Sequence, residues 1–507
     1  MDYVIKGGNI EANSMQKSAL REIVRLRAMG ETRALVRAAA GTGKTYLAAF
    51  DAKGYGAKTL LYIAEESTIL NRSKASFEKV LGNQFRYGLF DQKHNDFAAD
   101  YLFATNISMS NNCSLFKKEH FEYIVIDECH HATSETYRRI LDYFEPAFLL
   151  GITATPERMD RKDVYHLFGY NVPYDLRLRD SIILGLGVPF HYYGIRDDSL
   201  DYGNNPGGRD FLKNGSYQDL RFLIASIDKY YHDDVKGTNT NVRKLKALAF
   251  CRNINHAQWL TKHVNEDGKF VAKCLTGNSS FNEREQAYAN LQDDDNELQI
   301  LFTVDILNEG VDIPGVNMVL FLRPTESSTV FIQQLGRGLR RTADKDHVAV
   351  IDFIGNNYAR SVQIAQALGS LSNNLVLEKN VLKKLVKDNF RSLALENYGV
   401  SISIDEKSQE EILNAIDSQN FDKLTYLKKD YENFRKFIGS ESYPRHTDYL
   451  NSAAPDLLRL MFHSKKAANE DTRFSYYNFL KLINEPDAPD FTKEEAIFIS
   501  EISRWLP

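Results

Sequence analysis

Short apolar runs alternate with longer amphipathic segments from residue 33 to about residue 190 of this 507-residue chain. The apolar runs are RALVRAA, TLLYIA, YLFAT, YIVID and AFLLGIT. Each is rich in β-branched or aromatic residues and nearly free of charge, which is typical of strands buried on both faces of a parallel sheet. The segments between them, such as STILNRSKASFEKVLG and SETYRRILDYF, have apolar residues at helical spacing. The alternation therefore predicts a doubly wound α/β domain.

A second series of the same kind follows, with the runs KALAFC, FVAKCLT, LQILFTV, MVLFLR and VAVIDFI. After about residue 370 we expect the strands to stop, because segments such as EEILNAI, PDLLRLMF and YYNFLKLI have helical periodicity. We therefore expect an α/β protein of two tandem parallel-sheet domains, at residues 1–188 and 189–370. A mainly α-helical domain at residues 371–507 would follow.

Composition excludes several classes of protein. Hydrophobic residues make up 43% of the chain and charged residues 26%, which are ordinary values for globular proteins. The four cysteines lie far apart with no CxxC pair, which suits a reducing cytoplasm and offers no disulfide framework. The N-terminus lacks the apolar core of a signal peptide, and no stretch approaches the roughly 18 apolar residues of a membrane span. We expect a cytoplasmic protein with no membrane partner. Its net charge of −5 neither indicates nor excludes nucleic-acid binding, which needs only local basic surface.

The segment AAAGTGKT, residues 38–45, directly follows the first predicted strand. Between a strand and a helix, the small residues Gly41, Thr42 and Gly43 allow the backbone amides to wrap closely around phosphate. Lys44 would reach the β- and γ-phosphates, and the Thr45 hydroxyl would hold Mg²⁺. The alternative is a turn of small residues that binds nothing.

Asp127 and Glu128 end the predicted strand YIVID. Open α/β sheets bind ligands at the carboxyl ends of their strands, where the phosphate loop also lies. Asp127 can therefore hold Mg²⁺, and Glu128 can orient and deprotonate an attacking water. The alternative is an acidic pair in an exposed loop. His130 and His131 follow, but no further Cys or His stands at ligand spacing, so we expect no metal site there.

The ordered motifs GTGKT, DECHH, TAT, TVDILNEGVDIP and QQLGRGLRR resemble those of the superfamily 2 helicases, the DEAD/DEAH-like group. The chain is most similar to the bacterial branch that shares its core with restriction-enzyme motor subunits. This resemblance covers residues 10 to about 360. It implies two RecA-like domains that hydrolyse ATP with Mg²⁺.

The resemblance also implies roles for individual residues. Gln16 would contact adenine, and Thr153-Ala154-Thr155 would link hydrolysis to nucleic-acid contact. In the second domain, the residues matching motifs that approach the nucleotide are Gly310, Asp312, Gln333, Gly336, Arg337 and Arg340. The two arginines are three residues apart, which predicts that they share one helical face. Guanidinium groups balance the charge that develops during phosphoryl transfer, so hydrolysis would require closure of the two domains. The alternative for RGLRR alone is a solvated basic helix.

Helicases of this type lay a nucleic-acid strand across both domains, opposite the ATP. The candidate contacts are Ser67, Thr68, Thr105, Arg252, Thr276, Gly277 and Thr303. Such hydroxyl and glycine positions suit contacts with backbone phosphates, which read no sequence. A threonine after a strand is also a common helix cap, and this alternative stays open for each position.

Three functions remain. The first is an ATP-dependent DNA helicase or duplex translocase, acting in restriction, phage defence or repair with a possible nuclease or defence-complex partner. The second is an RNA helicase; the forms of DECHH and QxxGRxxR favour DNA over RNA. The third is a non-hydrolysing clamp or scaffold, which the retention of Lys44, Glu128, Arg337 and Arg340 disfavours. Asp405-Glu406-Lys407 superficially resembles a nuclease carboxylate–lysine set, but a solvated turn is the preferred interpretation.

Overall fold

The computed structural model describes residues 6–8, 10–39, 41–129, 132, 134–154, 164–196, 217–236, 243–251, 253–304, 313–322, 328–342, 345–354, 358–372 and 379–418, and parts of 424–498. These residues form two compact units. One comprises Met1–Gln363 with Ala394–Ser408, and the other Ile364–Leu393 with Gln409–Pro507.

The described strands and helices alternate along the first unit. The strands are β1 Lys6–Gly7, β2 Ile10–Glu11, β3 Arg33–Ala38, β4 Leu60–Ala64, β5 Tyr87–Phe90, β6 Tyr101–Thr105, β7 Tyr123–Asp127, β8 Phe148–Thr153, β9 Tyr174–Leu176, β10 Phe190–Arg196, β11 Ala247–Cys251, β12 Ala272–Leu275, β13 Ile300–Thr303, β14 Met318–Leu322, β15 Val348–Ile354 and β16 Ser401–Ile404. The helices, including those of the second unit, are α1 Ser14–Ala28, α2 Lys44–Tyr55, α3 Ser67–Leu81, α4 Asn106–Asn112, α5 Glu135–Tyr143, α6 Val164–Leu167, α7 Leu178–Ile183, α8 Tyr217–Tyr230, α9 Ile254–Asp267, α10 Phe281–Gln292, α11 Ser328–Gly338, α12 Tyr358–Gly369, α13 Lys379–Lys387, α14 Glu406–Ser418 and α15 Tyr476–Leu482.

The first sheet has the strand order β5-β6-β4-β7-β8-β3-β9, and all its strands are parallel. Its central strands are buried on both faces. In β4, Leu60, Tyr62 and Ala64 pack into one hydrophobic core, whereas Leu61 and Ile63 pack into another. Because successive side chains of a strand point to opposite faces, each apolar run supplies two cores at once. We call this sheet with its helices the first lobe.

The second sheet has the strand order β12-β13-β11-β14-β15-β10-β16, and it is also parallel. We call it, with its helices, the second lobe. The predicted arrangement of two tandem parallel-sheet domains is confirmed. The expectation that strands stop near residue 370 is wrong, because β16 pairs with β10 in this sheet. The run VSISI supplies that strand through its β-branched residues.

The described part of the second unit is largely helical, and its core contains Leu427, Tyr431, Tyr476, Phe479 and Leu480. Beside this core, the Arg435 guanidinium donates a hydrogen bond to the Glu485 carboxylate at 2.5 Å. Among the described helices of the whole chain, none combines the length and apolar character that crossing a bilayer requires.

Candidate active site

The phosphate loop connects β3 to α2 and uses two glycines in the left-handed backbone region. Gly41 has φ 78° and Gly43 has φ 88°, values that side-chain-bearing residues rarely adopt. A Cβ at Gly43 would also lie 2.5 Å from Gln16 Nε2. Within the loop, the Thr42 hydroxyl donates to the Ala39 carbonyl oxygen at 2.7 Å. The left-handed backbone therefore favours glycine at position 43, and a larger residue there would also displace the end of the Gln16 side chain.

The start of α1 is attached to this loop. Asn13 and Gln16 form a capping box, in which each side chain accepts from the other residue's backbone amide, at 2.8 and 2.9 Å. Their remaining donors reach the phosphate loop. Asn13 Nδ2 donates to Thr42 O at 3.1 Å, and Gln16 Nε2 donates to Gly43 O at 2.9 Å. Gln16 would have to exchange these contacts to bind adenine, so its observed arrangement fixes the loop to α1.

Asp127 and Glu128 lie at the carboxyl end of β7, facing Lys44 at the start of α2. The Lys44 ammonium lies 3.3 Å from Glu128 Oε1. The Thr153 hydroxyl, at the end of β8, donates to Glu128 Oε2 at 3.1 Å. Glu128 itself has φ 43°, an uncommon conformation for a non-glycine residue and one that is often found at functional sites. The structure thus brings Lys44, Glu128 and Thr153 together.

Tyr62, in the middle of β4, connects the two proposed magnesium ligands. Its hydroxyl donates to Asp127 Oδ2 at 2.5 Å and also hydrogen-bonds the side chains of Thr45 and Ser73. Burial, followed by the neighbouring charge of Glu128, raises the pKa of Asp127 to about 6, although the bond from Tyr62 acts in the opposite direction. Sequence analysis missed Tyr62. The available signal was a hydroxyl-bearing side chain inside an otherwise aliphatic buried strand, where a polar group needs a partner.

In the second lobe, α11 ends at Gly338, so Arg337 lies in the helix and Arg340 beyond it. The expectation that both arginines share one helical face is wrong. The chain leaves the helix because Val188 N donates to Leu339 O at 2.8 Å, and Arg340 forms a β-bridge with Gly187. The Lys345 ammonium donates a hydrogen bond to the last helical carbonyl oxygen, Gly338 O, at 2.8 Å.

Arg340 lies against the phosphate loop of the first lobe. A Cβ built on Gly41 would lie 3.6 Å from the Arg340 Cβ. Burial lowers the pKa of Arg340; Tyr46 on α2 opposes this effect, and Arg72 on α3 adds to it. The first-lobe and second-lobe motifs therefore meet at one place.

Some predicted positions lie outside the described residues. These are Thr155, Arg252, Gly310, Asp312, the histidines His130 and His131, and the side chain of Gln333.

The candidate nucleic-acid contacts occupy different environments. Ser67 and Thr68 begin α3, and Thr105 is the N-cap of α4, where its side chain accepts from Ser108 N. Gly277 is exposed, and Thr276 is 8% exposed. Thr303 is fully buried, and its hydroxyl donates to Ala249 O at 3.2 Å. The Thr303 side chain is therefore not accessible to a nucleic-acid strand.

A salt bridge links the two lobes near these residues. Arg72 NH2 lies 2.6 Å from Glu285 Oε1 on α10. The adjacent Arg284 donates to the Gly277 carbonyl oxygen at 2.9 Å. The loop that holds Thr276 and Gly277 is thus attached to the helix that reaches α3.

A glycine loop, a lysine, an acidic pair at a strand end and an arginine from a second parallel-sheet lobe together define a two-lobed P-loop nucleotide hydrolase. The family description "type III restriction enzyme, res subunit" matches residues 9–158, and "helicase conserved C-terminal domain" matches residues 231–342. The chain belongs to the superfamily 2 helicases related to restriction-enzyme motor subunits. It is an ATP-hydrolysing enzyme of the helicase or translocase type.

The individual proteins that this chain is similar to include a helicase and a restriction-enzyme subunit. IRC3 of Saccharomyces cerevisiae, named as an ATP-dependent helicase, is 24% identical over 88% of this chain and 68% of its own length. The type I restriction enzyme EcoAI endonuclease subunit of Escherichia coli is 25% identical over 67% of this chain and 45% of its own. The fold is similar to that of the type ISP restriction-modification enzyme LlaBIII bound to DNA. That match has a TM-score of 0.58 and 13% identity, and covers 98% of this chain and 41% of LlaBIII. This chain therefore spans less than half of both restriction enzymes.

Proposed function

We propose that this chain hydrolyses ATP between its two lobes and couples hydrolysis to lobe closure in order to move along DNA. The observation that carries this proposal is the packing of Arg340, from the second lobe, against Gly41 of the phosphate loop. A guanidinium at this position can act on a phosphate only while the lobes are apposed. Nucleotide chemistry and lobe movement are thereby coupled.

Thr45 and Asp127 are the residues that would hold Mg²⁺. Both supply oxygen atoms, which Mg²⁺ prefers, and both hydrogen-bond the hydroxyl of Tyr62. Mg²⁺ would supply positive charge that offsets the charge of the ATP phosphates. Tyr62 would hold the carboxylate and the hydroxyl close to each other.

Glu128 is the proposed general base. Its two carboxylate oxygens contact Lys44 and Thr153, respectively. When Lys44 binds phosphate, Glu128 loses one partner and keeps the bond from Thr153. Thr153 would then hold the carboxylate in position to orient and deprotonate water.

The arginines complete the site from the second lobe. Arg337 lies in α11, and Arg340 is fixed by the pairing of its backbone with Gly187. Their guanidinium groups would balance charge on the transferred phosphoryl group. Because this role belongs to the transition state, their loss should affect turnover more than nucleotide binding.

DNA is the proposed polymer, in view of the restriction-enzyme family description and relatives. The bound nucleic-acid strand would be lined by Ser67, Thr68, Thr276 and Gly277. The Arg72–Glu285 salt bridge joins the helices beside these residues. Thr105 and Arg252 remain proposed contacts. RNA is the second candidate substrate, and a nuclease or defence-complex protein is the proposed partner.

We also propose three domains at residues 1–188, 189–370 and 371–507. The strand β16 lies within the third range but belongs to the second lobe.

The test is ATP turnover with duplex DNA, single-stranded DNA and RNA, using the full chain and its Lys44→Ala variant. DNA should stimulate the wild type most, and Lys44→Ala should abolish turnover with every polymer. Arg25→Ala is a matched control, because Arg25 is an exposed cation on α1 whose ion pair, within the described residues, is the local one with Glu22. Turnover that survives Lys44→Ala would refute the assigned site, and preferential stimulation by RNA would refute the assigned substrate.

A further inference from the structure

Three side chains of the second lobe converge outside the nucleotide site. His191 is the second residue of β10, Asp234 lies in a π-helical turn at Tyr231–Val235, and His347 immediately precedes β15. His191 Nδ1 lies 2.8 Å from Asp234 Oδ1, and His347 Nε2 lies 2.9 Å from the same oxygen. One donor atom from each residue lies within 4.8 Å of the others.

The cluster lies at the amino ends of its strands. The strands β10 and β15 are parallel neighbours in which Phe190 is paired with Val348, so the two histidines stand at the same edge of the sheet. Ligands of open α/β sheets bind at the opposite, carboxyl edge. In the described part of the chain, the hydrogen bonds and ring contacts of these three side chains are with one another and with Tyr193, and none of these residues is assigned to the nucleotide site.

Hydrogen bonding does not satisfy this cluster completely. The two imidazole rings stack with centroids 4.0 Å apart and an interplanar angle of 18°. His347 Nε2 is buried and, although close to Asp234, has no hydrogen-bond partner of acceptable geometry among the described residues. Because the rings are stacked, their nitrogen lone pairs do not meet at one point, so a shared ion would be bound only after one imidazole rotates out of the stack.

The carboxylate is held in place by an outer partner. Tyr193 OH donates to Asp234 Oδ2 at 3.1 Å, which leaves Oδ1 facing the two histidines. A carboxylate whose second oxygen is hydrogen-bonded to an outer partner is a common form of a metal ligand.

We propose that His191, Asp234 and His347 bind one divalent transition-metal ion of the zinc class. Two imidazole nitrogens and one carboxylate oxygen suit Zn²⁺, whereas Mg²⁺ prefers oxygen ligands. Donors bound to a tetrahedral Zn²⁺ at about 2.0–2.1 Å lie roughly 3.3 Å apart, so the observed contacts open by about 0.5 Å on binding. The three side chains are 27%, 12% and 17% exposed, respectively, which leaves access for a fourth ligand from solvent.

This ion would be structural. It would join β10, the π-helical turn and β15, which are distant in sequence, and would stabilise the folded second lobe by binding it in preference to the unfolded chain. Its binding would not require an intact phosphate loop.

The test is zinc binding by the purified full chain, measured by competition with a chromophoric chelator after removal of metal. The wild type should bind one Zn²⁺ at this cluster, and its melting temperature should rise with zinc. His191→Ala, His347→Gln and Asp234→Asn should each weaken that binding by more than 100-fold. Tyr193→Phe, which removes only the outer partner, should weaken it roughly 10- to 100-fold.

Controls separate this site from other histidines and from misfolding. His263 has a similar exposure of 16% and also contacts a carboxylate, Glu266, so His263→Ala should leave zinc affinity unchanged. Lys44→Ala should bind zinc like the wild type. Circular dichroism confirms that each variant is folded. Zinc affinity that is the same in the wild type and in folded Asp234→Asn and His347→Gln would overturn the proposal.

Discussion

Gly41 of the phosphate loop faces the stem of Arg340 from the second lobe, because a Cβ on Gly41 would lie 3.6 Å from the Arg340 Cβ. The backbone of Arg340 is in turn paired with Gly187, next to the start of β10. Because of this pairing, a movement of the second lobe that shifts Gly187 also shifts Arg340 relative to the phosphate loop. In the proposed mechanism, the position of the second lobe therefore determines whether Arg340 can act on the nucleotide.

Arg340→Ala should reduce ATP turnover by about a thousandfold or more, the effect expected when an arginine that stabilises the transition state is lost. Nucleotide affinity should change little. Arg341→Ala is the matched control, because Arg341 is exposed and its side chain donates to the Gly185 carbonyl oxygen rather than facing the phosphate loop. Steady-state kinetics and nucleotide titration distinguish the two. Equal losses in both variants would contradict the role of Arg340.

Tyr62→Phe removes the hydroxyl that joins Asp127 to Thr45. We expect the Mg²⁺ concentration for half-maximal turnover to rise roughly 10- to 100-fold, as for loss of an outer partner of a metal ligand. Tyr101→Phe is the control: Tyr101 is equally buried, but its hydroxyl donates to the Ala57 carbonyl oxygen. Tyr101→Phe loses a buried hydrogen bond worth about 1 kcal/mol and so controls for a general loss of stability. An unchanged magnesium requirement in Tyr62→Phe would contradict the assignment.

Thr153→Val keeps the shape of the side chain and removes the donor to Glu128. Turnover should fall about tenfold, equivalent to roughly 1.4 kcal/mol of activation free energy, with little change in nucleotide affinity. Thr303→Val tests whether the effect is only structural, because Thr303 ends β13 and is equally buried but donates to Ala249 O. Comparable turnover in the two variants would show that Thr153 does not position the base.

Lys345 gives a pH-dependent prediction. Its ammonium contacts the carbonyl oxygens of Pro314, Val316 and Gly338 at 2.7–3.1 Å. Burial, with a smaller contribution from Arg340, lowers the pKa of Lys345 to about 7. The unfolded chain, with a lysine pKa near 10.4, then binds more protons above pH 7, so stability rises with pH across that interval.

The corresponding experiment compares the free energies of unfolding of the wild type and Lys345→Met between pH 6.5 and 9 (roughly the interval set by the two pKa values). The difference should move in favour of the wild type by up to about 1.4 kcal/mol per pH unit above pH 7. Parallel pH profiles for the two proteins would contradict a lowered pKa.

The sequence predicted those parts of the fold that depend on local pattern. The run TLLYIA predicted a strand buried on both faces, and the structure divides Leu60 and Leu61 between two cores. The small residues of GTGKT predicted a loop between a strand and a helix, and the structure places them between β3 and α2, with Gly41 and Gly43 in left-handed conformations. Both results follow from steric rules that act within a few residues.

Features that depend on distant contacts could not be predicted in this way. Helical spacing suggested a shared face for Arg337 and Arg340, but pairing with Gly187 and Val188 draws Arg340 out of the helix. The connection of Tyr62 to Asp127 spans 65 residues. Neither partner carries a local signal that specifies the other, so only the assembled sheets show these contacts.

The position of β16 has a consequence for shortened forms of the protein. Residues 401–404 cover the outer side of β10 through four paired positions, although they follow residues Ile364–Leu393 of the other unit. A chain cut at residue 370 would leave the unpaired amides and carbonyls of β10 along a free sheet edge, a template for joining strands from other molecules. Isolated two-lobe fragments should therefore self-associate unless they retain Ser401–Ile404.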